Sequence, residues 1–112
     1  MSTTGDFDVQ LVPVPEGAYV VRVIGDLDMA TAPMLEGRIA SIESASRLVI
    51  DLTQCTFLDS AAVRLLIAIA RDSDTGGTPL ALVASDPGIQ RVLEISAVGE
   101  ILPVHTTLDE AL

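Results

Sequence analysis

The chain has 112 residues, of which 49% are hydrophobic and 20% charged, enough apolar side chain for one core and too much for a disordered segment. Asp and Glu number 16 against 6 basic residues, all Arg, for a formal net charge of −10. That balance argues against nucleic acid or an anionic membrane surface as partner, because both demand a cationic footprint. A single cysteine, Cys55, excludes an internal disulfide, and Cys55 with the distant lone His105 supplies no Cys/His metal set. No metal and no cofactor are expected. The start, Met1 to Asp6, is polar and acidic, unlike a secretory signal. No apolar run reaches the roughly 18 residues that a spanning helix needs. A cytoplasmic protein without membrane insertion is the expectation.

Residues 1–6 read as a flexible tail. Phe7, Val9 and Leu11 alternate with Asp8 and Gln10, which predicts a first strand ended by Pro13-Val14-Pro15-Glu16-Gly17. Ala18 to Ile24 is rich in β-branched residues and predicts a second strand, antiparallel to the first across the short turn. Gly25-Asp26-Leu27-Asp28 is expected to break it. Thr31 is a candidate N-cap, with Pro33 in the first turn of a helix over about 32–45 whose inner face is Ala32, Leu35, Ile39 and Ile42. Leu48 to Leu52 reads as a buried central strand, followed by a link from Thr53 to Asp59.

A second helix is predicted from Ser60 to about Asp72, apolar around most of its girth, with Asp72 to Gly77 as a polar loop. Leu80 to Ala84 is the fourth strand. Asp86 and Pro87 open a third helix with Ile89, Val92 and Leu93 inward, and Gly99 ends that segment. Ile101 to Val104 is a short fifth strand and Thr107 to Leu112 a short last helix. The order is ββαβαβαβα. This is an α/β domain with about four helices and a mixed five-stranded sheet, its first strand antiparallel at the edge and the crossovers right-handed.

The stretch from Asp51 to Leu66 carries the most chemistry. A buried strand ends, a link comes next, and Asp59-Ser60 opens a helix. In a parallel sheet the loops after strand C-termini share one side, so this link lies beside Gly25 to Asp28, at the edge where such sheets place sites. The plain reading of Asp59-Ser60 is a helix cap. That leaves room for function, since a phosphate on a hydroxyl there would meet free N–H groups and the positive end of the helix dipole. Asp26 and Asp28 read most simply as turn residues. Arg64 and Arg71, seven apart, share a helix face and read as a solvated stripe. Asp51 is expected to pair with Arg47 or Arg22. Cys55 reads as a small buried hydrophobe, since nothing basic flanks it. His105 reads as a surface residue. A Gly-rich phosphate loop, a nucleophile elbow and a His placed to serve a Ser are all missing, so an enzyme is not expected.

From about residue 7 to 112 the chain resembles the STAS domain family, of the anti-sigma-factor antagonist type. The resemblance rests on Gly25-Asp26-Leu27-Asp28 with Thr31-Ala32-Pro33, on Leu48 to Leu52 with Phe57-Leu58-Asp59-Ser60, and on Leu93 through Val98-Gly99 to Val104, leading into Thr107 to Leu112. It implies an antagonist that, unmodified, binds an anti-sigma factor that is also a serine kinase, and so frees a sigma factor for transcription. Phosphorylation at Ser60 would switch it off and a serine phosphatase would reset it. Asp26, Asp28, Asp59, Ser60, Ala61, Ala62 and Arg64 would form the docking surface, and a weak homodimer is compatible with the type. Where the family usually reads Asp-Ser-Ser/Thr-Gly-Leu, this chain reads Asp59-Ser60-Ala61-Ala62-Val63. Ser60 is thereby the acceptor hydroxyl of the junction apart from Thr53 and Thr56, and the Ala62 methyl is expected at the surface in place of the glycine. Two other readings stand beside this one. The first is a non-switching interaction module, an adaptor on an ABC-type lipid-transport ATPase or a signalling-assembly subunit. The second is a small-molecule sensor, which lacks support from any basic or Gly-rich phosphate site.

Overall fold

An alternating first arm and a nearly continuous apolar second arm build a hairpin of two strands, β1 (Asp8–Val14) and β2 (Ala18–Leu27), paired antiparallel from Asp8↔Ile24 to Val14↔Ala18. The computed structural model describes residues 7–112, so the tail expected at 1–6 lies outside the described residues. β1 runs through Pro13 and Val14, where it was expected to end; as an edge strand it tolerates a residue without an N–H.

β2 also outruns its expected end. It continues through Gly25, Asp26 and Leu27 because Gly25 adopts φ 97°, and the ladder to the next strand shifts register there instead of stopping. The partner is β3 (Leu48–Leu58), so most of the expected Thr53–Asp59 link is strand, ending in the pairs Asp26↔Phe57 and Leu27↔Leu58. Thr53, Gln54, Thr56 and Phe57 are exposed along it while Cys55 and Leu58 are buried, which breaks the period of two and hides the strand from pattern reading.

Helix α1 (Ala32–Ala40) stops well before residue 45, and the Ser41 hydroxyl donates back to the Arg38 carbonyl at its end. Ile42 and Ala45 still pack on the core from the loop after it. Helix α2 (Ser60–Gly76) runs past Asp72, because Gly77, at φ 78°, supplies the left-handed cap whose N–H returns to the Ser73 carbonyl. Strand β4 (Leu80–Val83) leads to α3 (Pro87–Ile95), capped as expected by the Asp86 carboxylate, which accepts from the Ile89 N–H at 3.0 Å. Gly99 does not end that region; it sits inside an added helical turn, α4 (Val98–Ile101). Strand β5 is shorter and later than expected, Val104–His105, and α5 (Leu108–Ala111) closes the chain behind a Thr107/Glu110 capping box. Among the described residues the α-helices are thus five rather than about four.

The sheet order is β1-β2-β3-β4-β5, with β2 to β5 parallel and β1 antiparallel at the edge, as the sequence predicts. One sheet face carries the main core, in which Leu27, Leu35, Ile50, Leu52, Leu66, Leu82 and Leu93 are fully buried. A smaller cluster of Val20, Val49, Ala81 and Val83 packs with Ala111 of α5. Buried Asp51 uses Oδ1 to accept from the Thr53 N–H at 2.9 Å and hydroxyl at 2.7 Å, and its Oδ2 lies 3.7 Å from Arg22 Nε. Arg22 is therefore its partner; Arg47 instead donates to the carbonyl oxygens of Ala111 and Leu112.

Candidate functional site

The parallel ladder brings the ends of β2 and β3 side by side, and Asp59 ties together the segments beyond them. One carboxylate oxygen caps α2, accepting from the Ala62 N–H at 2.9 Å; the other accepts from the Met29 N–H at 3.0 Å, thirty residues away in the β2–α1 turn. Asp59 is at once a helix cap and a clasp between two loops.

The two other acids are likewise engaged. Asp26 accepts from the Thr56 hydroxyl across the β2–β3 ladder. Asp28 Oδ1 accepts from the N–H groups of Ala30 and Thr31 at 2.9 and 3.1 Å. Thr31, at the N-cap position of α1, makes no side-chain cap bond. Its buried hydroxyl instead donates to the Asp26 carbonyl at 2.7 Å and accepts from the Asp28 N–H at 2.9 Å. The cap was expected from residue type; the hydroxyl closes the turn from within because Asp28 already folds back on the same backbone.

The three hydroxyls of the junction differ sharply. Thr53 is committed to Asp51 and Thr56 to Asp26. Ser60, the first residue of α2, is exposed, and its hydroxyl takes part in none of the hydrogen bonds among the described residues. It stands at a helix terminus whose leading N–H groups lack intrahelical partners. Arg64 is exposed one turn further on, on the same helix face as Ser60. Ala61 is half-buried. Ala62 is a correction: its exposure is 0% and its methyl packs in the main core, since position 62 points inward from α2 toward the sheet. The alanine in place of the family's glycine therefore adds no methyl to the exposed surface around Ser60.

Sequence reasoning missed two side chains at this rim. Met29 is 76% exposed beside the Asp59 clasp, and Phe57 is 49% exposed opposite Asp26. The available signal was a large apolar residue in an Asp-rich turn, where it has no core to join, and an aromatic outside the alternation of β3. Cys55 is buried as expected, and that burial pushes its thiol pKa above the ordinary value.

Fold and rim together define an α/β domain of the kind that presents an Asp-Ser helix start at the C-terminal ends of its parallel strands. The chain belongs to the STAS domain family, whose model matches residues 10–111. It is 26% identical over 101 residues to the anti-sigma-F factor antagonist RsfA of Mycobacterium tuberculosis, spanning 87% of this chain and 79% of that protein. A crystal structure of an anti-sigma factor antagonist from Mycobacterium paratuberculosis superposes with a TM-score of 0.85 at 29% identity, over 99% of this chain and 95% of that one. The anti-sigma factor antagonist SpoIIAA shares the fold at 21% identity. Its unphosphorylated form has a TM-score of 0.76 over 93% of this chain and 92% of that one. Its phosphorylated Bacillus form has 0.71 over 93% and 96%. Among the described residues no helix is long and apolar enough to cross a membrane.

Proposed function

We propose that this chain is an anti-sigma factor antagonist that docks an anti-sigma serine kinase through the rim around Ser60 and is switched off by phosphorylation there. The observation that carries the reading is the contrast among the junction hydroxyls: Thr53 and Thr56 are engaged, whereas Ser60 is exposed and uncommitted. The names of the relatives support the general role. A kinase needs an acceptor oxygen it can reach without breaking internal structure, and Ser60 meets that requirement. A phosphatase acting on the same exposed residue would reset it.

The switch rests on charge and hydration. A phosphate adds about −1.5 to −2 charges. Asp59 directly precedes Ser60, Asp26 and Asp28 belong to the segment joined to it by the Met29 and Thr56 bonds, and Met29 and Phe57 are exposed at the same strand ends. Burying a strongly hydrated dianion in a contact there, among like charges, costs several kcal/mol of binding. The fold itself would tolerate the phosphate, which sits at the favourable end of the α2 dipole.

Incubation with a cognate kinase and ATP, then peptide mass spectrometry, should place the phosphate on Ser60. Ser60→Ala should bind the kinase as the unmodified protein does, and Ser60→Asp should weaken binding about 30-fold or more, some 2 kcal/mol. Phosphate on Thr53 or Thr56, or equal affinities for the two variants, overturns the proposal. Retention of a transporter ATPase in place of a kinase would favour the adaptor reading.

A further inference from the structure

A second surface lies away from Ser60, on the helical side of the domain. α1 and the loop after it diverge from α2 to leave a groove of about 400 Å³. Ile39, Ile42 and Leu65 line it while only half-buried, so its floor is apolar and partly open. Exposed Glu36, Glu43 and Asp72 stand around it. No basic residue lines it, although Arg64 and Arg71 belong to the same helix; Arg71 lines a different groove. None of the three carboxylates is in an ion pair among the described residues.

We infer that this groove docks an amphipathic helical segment of a protein partner, with aliphatic side chains flanked by Arg or Lys. The groove volume suits two or three aliphatic side chains from one face of a helix, the recognition mode in which spaced apolar anchors enter a cleft between packed elements. Charge selects the flanks. Three unpaired carboxylates around an apolar floor attract a basic segment and repel an acidic one. A second copy of this chain would bring another net charge of −10 against that rim. The groove's residues in α2 run from Leu65 to Ser73, about 8 to 20 Å along the helix axis from Ser60, so the groove does not include Ser60 and the inference does not rest on the function proposed for it.

A synthetic peptide of about 16 residues, with leucines on one helical face and arginines flanking them, is the probe. Titrated into the isotopically labelled full chain, it should saturate and move the amide signals of Ile39, Leu65 and Ala68; the same peptide with glutamates for arginines should not bind. The double variant Glu36→Lys/Asp72→Lys should weaken binding about tenfold, from two surface charge contacts of at most ~1 kcal/mol each. Glu94→Lys/Asp109→Lys, with the same net charge, and Ser60→Asp should each leave affinity within about twofold if the contacts are local. Ala68→Glu, at an exposed groove position, should abolish binding without touching the core. Signals moving elsewhere, equal losses in the two double variants, or no saturable binding overturns the inference.

Discussion

Removing the Asp59 carboxylate tests whether this residue is a clasp as well as a cap. In Asp59→Ala the α2 terminus loses the acceptor for the Ala62 N–H, and the β2–α1 turn loses the acceptor for the Met29 N–H. An N-cap substitution to alanine costs about 1 kcal/mol. A second hydrogen bond, in an exposed turn where water competes for both partners, contributes about 1 kcal/mol more. The sum is about 2 kcal/mol, and the protein contains its own control. Asp86 caps α3 in the same way, accepting from the Ile89 N–H at 3.0 Å, and its carboxylate accepts no second hydrogen bond across the fold among the described residues. Asp86→Ala should therefore cost about 1 kcal/mol, and the difference between the two variants isolates the Met29 bond. Urea unfolding should show it as a midpoint roughly 0.5 M lower for Asp59→Ala than for Asp86→Ala, taking a slope of about 2 kcal/mol/M. Equal midpoints would mean that the bond between the two loops contributes nothing net, and the clasp would be refuted.

Neighbouring groups give further expected outcomes. Ser60→Asp should unfold at the same urea concentration as the parent or slightly higher, since a negative charge in the first turn suits the dipole; a large loss would mean that the binding defect of this variant reflects unfolding. Asp51→Ala should cost about 2 kcal/mol, because it leaves the Thr53 N–H without its buried acceptor, whereas Arg22→Met should cost under ~1 kcal/mol, its 3.7 Å contact being long and partly solvated. Cys55, buried and with its thiol pKa raised, should react slowly with a thiol reagent at pH 8 in the native protein and rapidly in urea. Glu110 has its pKa lowered by hydrogen bonds from Thr106 and Thr107, so its contribution to α5 is present above the ordinary glutamate pKa and fades as pH falls through the lower folded value. Amide exchange at Glu110 and Leu112 should accelerate in that acidic window, and Glu110→Gln should remove the pH dependence.

Much of the fold was open to pattern reading because its signals are local. The apolar run Leu48 to Leu52, the Asp86-Pro87 start and the antiparallel first hairpin each depend on residues within a few positions of one another. The extension of β2 and β3 was not legible. It depends on Gly25 taking a positive φ and on a second strand offering partners to Gln54, Cys55 and Phe57, which is a non-local condition. The site divides the same way. Residue types placed Asp26, Asp28, Asp59 and Ser60 at one rim, but the bonds that organise it join Asp26 to Thr56 and Met29 to Asp59 across thirty residues each. Ala62 was misplaced because a family comparison gives a residue's position along the helix but not which way the helix is turned.

The acidity of the rim thus has a different role from the one its charge alone suggests. The carboxylates of Asp26, Asp28 and Asp59 each accept from a group of the fold: Asp26 and Asp59 join the two segments, and Asp28 closes its own turn. Met29 and Phe57 are the large apolar side chains exposed on the two segments that Asp59 and Asp26 tie together. On the proposed reading, affinity comes from apolar burial, at about 25 cal/mol per Å² removed from water, and the acids set the electrostatic background. A phosphate on Ser60 then acts on both terms. It hydrates the apolar contact and adds charge to a field that cannot relax, because the nearby carboxylates are fixed by their own hydrogen bonds. Charge removal separates the two terms. Asp28→Asn keeps a side-chain oxygen to accept from Ala30 and Thr31, so it should lessen the effect of phosphate on binding while leaving unmodified binding within about twofold. Met29→Ala should weaken unmodified binding by about 1 to 2 kcal/mol and leave the charge effect intact. If the two variants behave alike, affinity and switching do not reside in separate groups.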